Sequence, residues 1–167
     1  MADMAPWEIW VRGTGLSRFV LDHFWGWPIA ESLHFLGLSL LIGTVGLFDL
    51  RLLGMTKSIA PAALHRLIPW GIGGYVLNLC TGIYFFFGYP EQYAYNRAFH
   101  FKLAFMAVAG LNLLFFYGMA FRGVKTVGPG ADTAWQAKVM AGISLAMWLG
   151  IIIAGRLITF FRPPFFH

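Results

Sequence analysis

WPIAESLHFLGLSLLIGTVGLFDLRLL, residues 27–53, holds its ionisable side chains to Glu31, His34, Asp49 and Arg51, with uninterrupted apolar or small residues between the two pairs. About 20 such residues suffice to cross the roughly 30 Å hydrocarbon core of a bilayer as a helix. Three more stretches meet the same criterion: Leu67 to Gly88, Phe99 to Phe121 and Trp135 to Phe161. Short connections between them favour packing of sequence neighbours. The expected fold is therefore all-α, an integral membrane four-helix bundle with up-down-up-down topology, as a single domain.

Composition agrees. The chain is 59% hydrophobic and 11% charged, far below the roughly 25% charged residues of soluble domains. Before the first span, residues 6–25 mix Trp7, Ile9, Trp10, Leu16, Phe19, Val20 and Phe24 with Glu8, Arg12, Arg18 and Asp22. That pattern predicts an interfacial amphipathic helix lying among headgroups. It lacks the basic start, apolar middle and small-residue cleavage site of a secretory signal, so it is expected to remain in the mature chain.

The basic residues divide evenly between the two sides. Arg51, Lys57, Arg66, Arg122, Lys125 and Lys138 flank one, while Arg12, Arg18, Arg97, Lys102, Arg156 and Arg162 flank the other. The positive-inside count is tied. Asp3, Glu8, Asp22, Glu31 and Glu91 fall on the side of the termini, which we take as outside the cytoplasm. The net charge of +5 resides in residues bordering the spans, where it meets lipid headgroups, so nucleic acid is not an expected partner. Cys80 is the sole cysteine, which excludes an intramolecular disulfide and a multi-thiolate metal site.

Helices in lipid associate through close backbone approach and hydrogen bonds. Gly142, Ala146, Gly150 and Ala154 recur at four-residue spacing, as do Gly74, Asn78 and Gly82. Asn78 and Asn112 are expected to bond between helices. An ion pair of Asp49 with a nearby arginine is the ordinary expectation, and His65 reads as solvated.

Ionisable side chains inside a bilayer are costly and mark functional sites by default. His34 lies about 10 Å along the helix axis from Trp27, with Glu31 one turn earlier on the same face. Arg156 near the end of the fourth span is a candidate partner for Glu31. His100 begins the third span between Arg97 and Lys102, and the pairs His34–Phe35 and His100–Phe101 occupy similar places in helices expected to run parallel. Two imidazoles with basic neighbours suit haem b, with His34 and His100 on iron and Arg156, Lys102 and Arg97 near the propionates. Their depths differ, however, by about 7 Å when counted from Arg51 and Arg122. Paired ligation, ligation by one histidine and a polar cluster without cofactor all remain open. Glu31 and His34 have the spacing of a di-iron site, but the other spans lack the further carboxylates such a site needs.

HFLGL at 34–38, FDLRLLG at 48–54, HFKL at 100–103 and GRLI at 155–158 resemble a group of small uncharacterised bacterial four-span membrane proteins. The arrangement is more distantly similar to cytochrome b-like and copper-resistance D-type membrane domains. These resemblances imply a bacterial inner-membrane location and a haem or copper role with His34 and His100 as ligands. Absence of a second intramembrane histidine pair departs from two-haem cytochromes and argues against electron passage across the whole membrane.

The leading expectation is a haem-b-binding membrane subunit that transfers electrons near the outer face, partnered by a redox protein. A non-catalytic anchor or assembly subunit of a larger complex, with contacts to other subunits or to further copies of itself, is the alternative. A small metal or proton transporter is third. Each describes a redox or structural subunit better than an independent enzyme.

Overall fold

The computed structural model describes residues 4–161 and is helical, with no strand among them; Asp3 and Arg162 lie outside this range. Helices α1 (Pro6–Arg12) and α2 (Gly15–Asp22) precede α3 (Gly26–Leu52). Then follow α4 (Pro61–His65), α5 (Ile68–Gly88), α6 (Pro90–Ala94) and α7 (Arg97–Phe115). A π-turn at Phe116–Ala120 continues α7 into α8 (Phe121–Lys125), and α9 (Trp135–Leu157) completes the order. Four helical stretches are long and apolar enough to cross a membrane: Gly26–Leu52, Pro61–Gly88, Arg97–Lys125 and Trp135–Leu157. They are called spans 1 to 4 below.

The N-terminal segment is two helices rather than one. Gly13 ends α1, and Thr14 caps α2 by accepting a bond from the Ser17 amide at 3.2 Å while its hydroxyl donates to the Val11 carbonyl at 2.6 Å. A side-chain cap of this kind satisfies amides that a helix start leaves free. Val11, Ser17 and Val20 face inward, whereas Trp10, Phe19, Phe24 and Trp25 are exposed. Arg12 pairs with Glu91, tying α1 to α6.

Packing is uneven around the bundle. Spans 1 and 2 lie closely together, as do spans 3 and 4, and the pairs meet mainly where α3 touches α9. By contrast, α5 and α7 scarcely touch. Spans 1 and 2 approach most closely at two glycines: a Cβ on Gly74 would lie 2.5 Å from the Gly37 carbonyl oxygen. Small residues permit such approach. In span 4 the buried face is Ala137, Ala141, Ile151 and Ala154. Gly142 opens on empty space and Ala146 is exposed, so the expected Gly142–Ala154 stripe is not the packed face as a whole.

Each end of the bundle has its own fastening. Asn96, 1% exposed, caps α7 through its Oδ1 and donates from Nδ2 to the carbonyls of Ile158 and Phe161 at 2.9 and 2.7 Å. At the opposite end Arg51 is fully buried and donates to the carbonyls of Ile59 and Ala131, the latter at 3.1 Å. Thr133 adds a 2.5 Å bond to the Leu52 carbonyl. Loops 53–60 and 126–134 are thereby fixed to the end of span 1. Below them Phe48, Leu52, Phe116, Val124, Ala137 and Ala141 form the apolar core.

Asp132, in the second of these loops, accepts from Lys138 at 2.7 Å and lies 3.2 Å from Lys57. These bonds hold its carboxyl down at about 2, from an ordinary 3.8. A depressed folded-state pKa contributes stability above the unfolded value and loses it as pH falls through the folded one. Asp132→Asn should therefore lower the melting temperature slightly at neutral pH and match wild type near pH about 2. A difference that persisted undiminished at that pH would contradict this account of the loop.

Candidate functional site

The polar groups within the spans fall into two places. Toward the end carrying the termini, His34 on span 1 faces span 2, its Nδ1 2.7 Å from the Thr81 hydroxyl. That hydroxyl also lies 2.8 Å from the Leu77 carbonyl, which can only accept. When the Thr81 proton goes to Leu77, Nδ1–H of His34 donates to Thr81 and His34 Nε2 keeps its lone pair. Lys102 is close enough to act on His34 electrostatically and approaches Gly155 of span 4. Among the described residues it has no carboxylate partner within ion-pair distance.

The remaining members of the expected cluster do not gather there. His100 is exposed, and its Nε2 donates to the Ala94 carbonyl at 2.8 Å. Arg97 is exposed. Arg156 is exposed too and lies 5.8 Å from the Phe160 ring centroid; the expected Glu31–Arg156 pair is not formed. Glu31 lies nearer Tyr93, whose phenol is pushed up to about 12 by burial and then by that carboxylate. Asn112 bonds as expected, from Nδ2 to the Met140 carbonyl at 3.0 Å. Both polar atoms of the Asn78 side chain are buried and lack partners among the described residues, in a seat against Gly37. Among the described residues no three His, Cys, Asp or Glu side chains converge as a metal site.

Thr81→Val removes the hydroxyl while keeping the shape, leaving Nδ1 of His34 unpaired. The expected destabilisation is about 1–3 kcal/mol, the range for an unsatisfied buried polar group. Combining it with His34→Leu in a double-mutant cycle should reveal coupling. Strict additivity in thermal melts would show that this bond does not hold spans 1 and 2.

The second place is a cavity of about 290 Å³ in the half of the bundle nearest loops 53–60 and 126–134. It lies where α5 and α7 scarcely touch. Its walls include Leu41, Val45, Met106, Gly110 and Leu113, with Phe48, Tyr75, Phe116, Tyr117 and Trp148 as aromatic faces. Lining residues Ile72 and Tyr75 of span 2, and Leu113 and Tyr117 of span 3, are also exposed on the outside of the bundle. The cavity is thus continuous with the surface between those helices. Nearer loops 53–60 and 126–134, a 3.0 Å bond between His65 Nε2 and Tyr117 Oη bridges α4 and the π-turn.

Asp49 lines this cavity. It is 5% exposed, Ser144 hydrogen-bonds its carboxyl, and its Oδ2 is buried with no partner among the described residues. The expected arginine partner is absent because Arg51, two residues on, points the other way into the loops. A buried polar atom with no partner is costly and calls for a specific explanation. The sequence signal was a lone acid in an apolar helix; that a cavity lay beside it required knowing which helices fail to pack.

No protein-family model, curated protein or solved structure matches the chain.

Proposed function

We propose that the chain is a membrane-embedded binding protein that takes a small apolar molecule from the lipid phase into the cavity between spans 2 and 3. The orphaned Oδ2 of Asp49, in the wall of an otherwise apolar chamber, carries this reading. Concave, mostly apolar pockets with a few convergent polar groups are the usual form of a small-molecule site. Asp49 is moreover an acid within a span, a default mark of a functional site. In this reading the four spans cross the bilayer up-down-up-down, and α1 and α2 lie at the interface with Trp10, Phe19, Phe24 and Trp25 toward lipid.

Trp148 in the cavity wall supplies the test. Dibromobenzene titrated into the detergent-solubilised protein should quench Trp148 fluorescence saturably, and the saturable part should vanish in Trp148→Phe. Gly110 lines the cavity and has no atom within 4 Å of an added Cβ, so Gly110→Phe should fill the space and abolish the effect. Non-saturable quenching that Gly110→Phe leaves unchanged would refute the reading.

The contact of His34 Nδ1 with Thr81 favours a second reading, haem b bound through one histidine. A ligating imidazole commonly has its other nitrogen held by a hydrogen bond, as Thr81 holds Nδ1. Nε2 would meet the iron and Lys102 would neutralise a propionate. Paired ligation gains no comparable support, since His100 is exposed and bonded to Ala94. Protein made with ample haem should show a Soret band that His34→Ala removes and His65→Ala preserves. Its absence in the wild type would end this second reading.

A further inference from the structure

We infer that the ligand of the cavity is a lipophilic cation, an organic ammonium with a compact apolar body; this rests on the binding role proposed above. The polar groups facing the cavity are the starting point. Asp49 presents a carboxyl oxygen with no partner among the described residues, and Asn112 donates one of its two Nδ2 hydrogens to the Met140 carbonyl while its Oδ1 can accept. The hydroxyl of Ser144 is spent on Asp49. When ionised, Asp49 can only accept, and the molecule complementary to its free oxygen brings a donor or a positive charge.

Charge selects between those two. Among the described residues no lysine or arginine lies within ion-pair distance of Asp49; the recorded pairs are Arg12–Glu91, Lys57–Asp132 and Lys138–Asp132. A cationic ligand would supply the missing counter-charge where lipid and protein do not. Five aromatic side chains line the same space: Phe48, Tyr75, Phe116, Tyr117 and Trp148. Aromatic faces attract cations through the ring quadrupole, and aromatic cages are a recurring solution for quaternary ammonium groups. Asp49 belongs to the side of the chamber formed by span 1, whereas Ile72, Tyr75, Leu113 and Tyr117 flank the opening between spans 2 and 3. A molecule entering from the lipid would thus bring its charged head inward to the acid and keep its apolar body toward the opening. The volume of about 290 Å³ lies near the low end of small-molecule pockets, which suits a single ring with a short ammonium arm.

The test compares two probes of the same shape. Phenethyltrimethylammonium and its all-carbon tert-butyl isostere differ only in the charge at the branched centre. Their binding to wild-type protein in nanodiscs is measured by displacement of dibromobenzene from Trp148, with each probe's lipid partition determined separately in empty nanodiscs. The cation should bind at least about ten-fold more tightly than the isostere, the scale of a desolvated cation–π contact reinforced by a carboxylate. Asp49→Asn should erase that preference, and Tyr75→Leu should reduce it. Equal affinity of the wild type for the two probes would overturn the inference and leave the binding role standing. Saturable binding of neither probe, together with no saturable quenching by dibromobenzene, would overturn both. Because the probes are compared on the wild-type protein, the result stands whether or not Asp49→Asn folds.

Discussion

Arg51→Leu is expected to destabilise the protein by about 3 kcal/mol or more, because buried carbonyls that lose a charged donor each cost about 1–3 kcal/mol. Arg51 is fully buried, and its guanidinium reaches the carbonyls of Ile59 in one loop and Ala131 in the other. One side chain thus organises two connections that are far apart in sequence. Leucine can bond to neither. Arg51→Lys should recover only part of the loss, since an ammonium on a flexible stem cannot reproduce the guanidinium's fixed fork of donors. Arg122 is exposed at the end of span 3, and Arg122→Leu should fall within about 0.5 kcal/mol of wild type. Thermal melts of the three variants in one detergent check this ordering. Equal effects at Arg51 and Arg122 would show that the loops are held by something else.

The second large effect is expected at Gly74. Alanine normally stabilises a helix by up to about 1 kcal/mol relative to glycine. At Gly74 its Cβ would stand 2.5 Å from the Gly37 carbonyl oxygen and 3.0 Å from the Leu41 amide nitrogen. Both are backbone atoms in a continuous helix, so the spans must separate. Overpacking of this kind costs about 1–3 kcal/mol, and Gly74→Ala should therefore lower stability despite its better propensity. Gly82, two turns on in the same helix, meets nothing within 4 Å. Gly82→Ala should be neutral or stabilising, and a melt in which both variants shift alike would contradict the proposed closeness of spans 1 and 2.

The four spans were readable in the sequence because about 20 apolar residues leave few alternatives to a crossing helix. Their ends moved by a few residues where capping intervened: Asn96 starts α7 before the apolar run begins, and Pro61 starts a helical turn ahead of α5. The faces by which the spans pack were far less legible. A helix that is hydrophobic all round gives little periodic signal of which side is buried, and this is why a Gly142–Ala154 stripe that packs only in part read as one face, and why Gly74, expected at a close approach, was not matched to Gly37. Thr14 illustrates a different limit, since the composition of residues 6–25 signalled amphipathic helix but not the break that its capping hydroxyl creates.

The polar sites divide in the same way. Asn112 found a partner by the expected logic, and His34 did lie within a span beside polar company, although the company was Thr81 and Lys102. Arg156 sits at an exposed helix end, where a guanidinium can reach the interface without Glu31. Asp49 was visible as an acid near an arginine, and sequence proximity made Arg51 its natural partner. Two residues along a helix, however, place side chains on different faces. The cavity itself depends on α5 and α7 failing to pack, a property of the whole assembly that no local pattern encodes.

The central claim is that this cavity holds a molecule from the lipid phase. Photolabelling with a small diazirine-bearing benzene in nanodiscs, mapped by peptide mass spectrometry, tests it most directly. The account predicts labelling concentrated on Asp49, Ile72, Tyr75 and Leu113, suppressed by excess unlabelled dibromobenzene and lost in Gly110→Phe. Labelling spread evenly over the lipid-facing residues of all four spans, unaffected by competitor, would contradict it.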